Sequence, residues 1–71
     1  MARFVILGAT PGDGGQVNAA TPKEAIIKFF ASSYGETQKE VRAMMTAHPM
    51  KMIRKDANHF VYGSYEINKL R

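Results

Sequence analysis

Arg3-Phe4-Val5-Ile6-Leu7-Gly8-Ala9-Thr10-Pro11-Gly12-Asp13-Gly14-Gly15 is a short apolar run that empties into glycines. Its reading decides the fold. A β-strand ending in glycines is how nucleotide-binding α/β folds begin, the loop closing on a phosphate at the N-terminus of the next helix. That chemistry needs G-x-G-x-x-G, or a loop ending in Gly-Lys followed by Ser or Thr. Gly12-Asp13-Gly14 supplies two of the glycines, but Val17 stands where the third belongs, and the chain has no Gly-Lys pair. Asp13 would repel a phosphate, and the first helix signal comes only at Pro22. Pro11 suits the second position of a turn and Gly12 the positive φ of a type II turn at the third. The stretch therefore reads as the first half of a β-hairpin, with strands Arg3 to Ala9 and Gly15 to Ala20.

At Thr21-Pro22-Lys23-Glu24 the pattern changes: an N-capping Thr, Pro at the first helical position, and Glu three residues after the cap. A helix is predicted from Pro22 to Tyr34, with Ile26, Ile27, Phe30, Ala31 and Tyr34 as its apolar stripe and Gly35 as its left-handed stop. Thr37-Gln38-Lys39-Glu40 repeats the capping pattern and opens a second helix, Gln38 to Ala47, with Val41, Met44 and Met45 on one face and Pro49 after it. Met50 to Arg54 and His59 to Asn68 are strand candidates, joined by a turn at Lys55-Asp56-Ala57-Asn58. Phe60, Val61 and Tyr62 leave the register of the last strand open, and Gly63-Ser64 suits a bulge. The expectation is one small α+β domain spanning residues 1–71, an antiparallel β-sheet with two short helices on one face, in the order ββααββ.

Composition limits what such a domain does. The chain has 71 residues, 45% hydrophobic and 23% charged, and no cysteine, so a thin core holds it without disulfides or thiolate-bound zinc. No apolar run reaches the length of a membrane span or a signal-peptide core, which points to the cytoplasm. The net charge of +4 is uneven. Residues 1–35 carry three bases and two acids, and residues 36–71 carry seven and four. That bias favours acidic partners, protein or nucleic acid.

The chemistry-bearing residues are sparse. His48 and His59 have no companions at ligand spacing, so neither a metal nor another cofactor is expected. Asp56, His59 and Ser64 lie too close on one hairpin for a hydrolytic triad, and no catalytic residue is assigned. Met44, Met45, Met50 and Met52 read chiefly as core filling, with any exposed member a contact residue. The basic and aromatic residues of the C-terminal hairpin remain: Lys51, Arg54, Lys55, Tyr62, Tyr65, Lys69 and Arg71, with Phe60 among them. They are the predicted partner-binding set, because cations meet acidic groups and rings supply contact area or stack on bases.

Gly14-Gly15-Gln16-Val17-Asn18-Ala19-Ala20-Thr21-Pro22-Lys23-Glu24-Ala25 contains V-x-A-x-T-x-x-E-A, a strand-to-helix corner that resembles those of small bacteriophage-encoded host-takeover proteins, the anti-CRISPR proteins and inhibitors of bacterial RNA polymerase. The resemblance covers about a quarter of the chain and transfers no functional residue. It implies a non-enzymatic protein, in the host cytoplasm, that inhibits or modulates a nucleic-acid-handling complex by protein–protein contact. Two other expectations stand beside it: a small basic nucleic-acid-binding module, and a dimeric structural or accessory subunit. The partners expected are thus an acidic host protein complex or nucleic acid, with the chain a monomer or homodimer and no membrane involved.

Overall fold

The computed structural model describes residues 1–10 and 12–70. Its elements run β1 (Ala2–Leu7), β2 (Gly14–Ala19), α1 (Pro22–Tyr34), α2 (Gln38–Ala47), β3 (Ile53–Asp56), β4 (His59–Tyr62) and β5 (Tyr65–Lys69). The domain is α+β, with the order ββααβββ. The five strands form one sheet in the order β2-β1-β5-β4-β3, every neighbouring pair antiparallel.

The opening loop is a turn. Asp13 N–H donates to the Thr10 carbonyl at 3.1 Å, closing a four-residue β-turn, and Gly12 takes φ 85° at its third position. Pro11, expected at the second position, lies outside the described residues. The strands on either side pair from Ala2 with Ala19 to Leu7 with Gly14, so Gly14 and Gly15 belong to β2 and cap no helix.

Both helices begin and end where their local chemistry places them. Thr21 Oγ1 accepts the Glu24 N–H at 3.2 Å, Pro22 fills the first turn, and Gly35 at φ 66° returns its N–H to the Ala31 carbonyl. Thr37 and Glu40 close a reciprocal capping box, with bonds of 3.1 and 3.0 Å. The buried stripe of α1 is Ala25, Ile26, Ile27, Phe29 and Phe30. Tyr34, expected within it, is exposed, with its ring against Phe30 and its hydroxyl on that of Tyr65 at the end of the helix. In α2 only Val41 is buried, Met45 is half-buried and Met44 exposed. This helix packs chiefly against α1, and its Val41 joins the core shared with the strands.

The C-terminal region departs from the expected single strand after the Ala57-Asn58 turn. Gly63 at φ 62° makes a second tight turn with Ser64, where a bulge was expected, and the chain reverses into β5. The sheet therefore has five strands, and β5 inserts beside β1 at its centre, pairing Ile6 with Ile67. The one register shift falls in β3, between Arg54 and Asp56. That strand also begins at Ile53, three residues later than expected, because Met52 turns inward against the core.

Register assigns the two faces. Phe4, Ile6, Ile67, Phe60 and Tyr62 point toward the helices and form the core with the α1 stripe, Ala19 and Val41. Arg3, Val5, Leu7, Gln16, Asn18, His59, Val61, Glu66 and Asn68 alternate with them and lie on the face that no helix covers.

Candidate functional site

The predicted binding residues separate into two groups. Lys51 leads into β3, Arg54 and Lys55 lie on it, and β3 is an edge of the sheet, all four of its residues exposed. Lys55 occupies the register shift, which makes the edge irregular where its charges are densest. Arg54 Nε donates to the Asp56 carbonyl at 3.2 Å, bracing the guanidinium along the strand. Lys69 ends β5, and its N–H donates to the Asn58 carbonyl at 2.8 Å, which places it at the same end of the sheet as the Ala57-Asn58 turn. Arg71 lies outside the described residues. Among the described residues the single contact between a basic and an acidic side chain is His59 Nε2 with Glu66 Oε1, at 2.8 Å on the open face, and Lys51, Arg54, Lys55 and Lys69 have no carboxylate partner there.

The rings belong to the other group. Tyr62 is 4% exposed and packs on Phe30, with centroids 6.4 Å apart. It is a core residue and not a contact residue, because its even step from Phe60 puts both on the helix-facing side. Tyr65 is half-buried, its ring edge-on to Phe30 at 5.2 Å and to Phe29 at 5.7 Å. Its hydroxyl meets that of Tyr34 at 3.3 Å. That hydrogen bond first, then burial and the nearby Asp13 carboxylate, holds the Tyr65 phenol well above its ordinary ionisation range. Residue type groups Phe60, Tyr62 and Tyr65 with the cations, and the register does set Arg54 opposite Phe60, but the rings are turned to the core while the cations stay exposed. Among the described residues the sheet's open face carries no Phe or Tyr side chain, and His59 is its one ring.

Exposed apolar groups border the cations. Ile53 stands on the open face opposite Val61, and Met50 lies against the Gly63 turn, where its Cε is 3.2 Å from the position a Cβ would take. A groove of about 220 Å³ lies on the helix side, lined by Phe30, Met44, Met45, His48, Met50 and Tyr62. Met45 and Met52 serve as core filling, while Met44 and Met50 are open to solvent. The outward methionines were not distinguishable from the inward ones by spacing, since Met50 and Met52 lie between α2 and β3, outside any regular element.

The remaining titratable groups are tied into local structure. Asp56 Oδ1 accepts the Asn58 N–H at 2.8 Å, an Asx turn, and His59 Nε2 is occupied by Glu66. Glu40 is held below its ordinary carboxyl value of 4.5 by the Thr37 backbone N–H, then by the Thr37 hydroxyl. Among the described residues no cluster of three or more His, Cys, Asp or Glu is placed to hold a metal ion. No helix among them is long and apolar enough to cross a membrane.

No protein-family model matches the chain, and comparison with curated proteins and with solved structures finds no match.

Proposed function

We propose that this is a non-enzymatic binding domain that docks its basic edge, Lys51 to Lys55, on an acidic protein surface. The observation that carries this reading is the gathering of Arg54 and Lys55 on one exposed edge strand and Lys51 just before it, with no carboxylate partner among the described residues. Free cations so placed steer an acidic partner and fix its orientation. Met50 and Ile53, exposed beside them, supply the apolar area on which affinity depends. The partner class is a bacterial nucleic-acid-handling complex, RNA polymerase or a CRISPR effector, which the domain inhibits or modulates in the manner of the phage proteins it resembles.

The test is parallel affinity purification from bacterial lysate with three proteins: the natural chain, a Lys51→Ala, Arg54→Ala, Lys55→Ala variant, and a control carrying Lys39→Ala and Arg42→Ala on α2. A complex retained by the natural chain and the control but lost from the β3 variant supports the reading. Equal retention by all three refutes it.

Direct nucleic-acid binding keeps the same cations but has no Phe or Tyr on the open face for bases to stack on, only the His59 ring held by Glu66. It predicts that retention of a labelled oligonucleotide falls steeply with salt. A titration at two salt concentrations separates it from protein docking.

A further inference from the structure

The two edges of the sheet are built differently. β3 is short, charged and interrupted by a register shift, the features that discourage pairing with another strand. β2 has six residues, Gly14-Gly15-Gln16-Val17-Asn18-Ala19, with no charge, no proline and unbroken register. Its outward backbone groups follow from one hydrogen bond. Leu70 N–H donates to the Arg3 carbonyl at 2.8 Å, so the polar groups of Arg3 point toward β5. Antiparallel alternation then turns those of its cross-strand partner Asn18 to the free edge, and with them those of Gln16 and Gly14. Lys28 Nζ donates to the Asn18 carbonyl at 2.8 Å, which occupies one lone pair of that oxygen and leaves the second.

We propose that β2 pairs with β2 of a second copy of this chain, antiparallel about a two-fold axis at Gln16, to give a continuous sheet across the dimer. Two features of the edge select its own copy as the occupant. The outward groups are self-complementary: Gln16 exchanges both backbone hydrogen bonds with its counterpart, and Gly14 exchanges both with Asn18 across the axis. On the helix side this register sets Val17 of each protomer against Gly15 of the other, a non-hydrogen-bonded pair in which side chains come closest. Gly15 leaves that space empty, and a Cβ there would lie 3.7 Å from the Phe29 ring, so Val17 extends the core across the seam. The dimer leaves both β3 edges free at its far ends, so it stands or falls independently of the docking reading.

Sedimentation velocity of the full chain at increasing concentration, up to about 1 mM, tests the assembly. The expected species has twice the 7.9 kDa mass of the chain. Gln16 is exposed and faces itself across the axis, so Gln16→Lys and Gln16→Glu each place like charges together and weaken the dimer roughly 5-fold or more. An equimolar mixture of the two variants restores dimerisation as a heterodimer. Gln16→Pro removes the central N–H, and the expected product is a folded monomer in which the Asn18 amide exchanges rapidly with solvent. A natural chain that stays monomeric overturns the proposal and leaves this edge to an extended segment of another protein. A dimer unaffected by the charged variants, or a mixture that fails to recover, also overturns it.

Discussion

Val41→Ala tests how α2 is held. Val41 is the one buried side chain of α2, and the helix rests chiefly on α1. Alanine removes two methyl-sized groups, about 1.6 kcal/mol of transfer free energy. The cavity that remains raises the cost to roughly 2–3 kcal/mol. A domain of this length has about 4–10 kcal/mol of stability in total, so the loss is a large share. It corresponds to a fall in melting temperature of roughly 8–20 °C. Urea denaturation followed by circular dichroism measures it, with Met44→Ala as the control one turn along the same helix. Met44 is exposed, and its truncation is expected to stay within about 0.5 kcal/mol. Hydrogen exchange adds spatial information: amides of α2 in Val41→Ala open at lower free energy than those of β1 and β5, because only this helix loses its anchor. A Val41→Ala loss under about 0.5 kcal/mol, or equal loosening of α2 and the central strands, refutes the reasoning.

Gly35→Ala costs about 1 kcal/mol in thermal denaturation, from φ 66° alone, because nothing lies within 4 Å of the added Cβ. The depressed Glu40 carboxyl stabilises the fold fully above its ordinary value of 4.5, and that stabilisation is lost as pH falls through its lower folded value. Glu40→Gln should abolish this part of the acid dependence, which denaturation midpoints between pH 5 and pH 2 will show. Tyr34→Phe removes the first cause of the raised Tyr65 ionisation, so phenol titration by ultraviolet absorbance should find Tyr65 ionising at lower pH than in the natural chain. An unchanged Tyr65 titration would assign its shift to burial and Asp13.

The boundaries of both helices were legible in the residues themselves. Thr21, Pro22 and Gly35, and then Thr37 and Glu40, act within three or four positions of their own, so no distant part of the chain needed to be known. The first hairpin was legible for the same reason, since Gly12 serves the turn at Thr10–Asp13 by its own backbone freedom. Gly63 was harder, because a positive φ suits a bulge as well as a turn. The choice went to the turn because it lets β5 reach β1 and bury Ile67 against Ile6, a pairing 61 residues apart in the chain.

The same limit applies to function. That Lys51, Arg54 and Lys55 are close together is a property of the sequence, but that they occupy a free edge depends on strand order. Alternation put Phe60 and Tyr62 on one face whatever the fold. Which face met the helices was decided by where α1 packed, and that choice buried Tyr62 and left the open side without Phe or Tyr among the described residues. The vacancy of the β2 edge is likewise invisible in Gly14 to Ala19, because a strand is an edge only by virtue of what the rest of the chain leaves unpaired. Local backbone chemistry thus determined the elements, and burial of one shared apolar surface decided which of their residues face a partner.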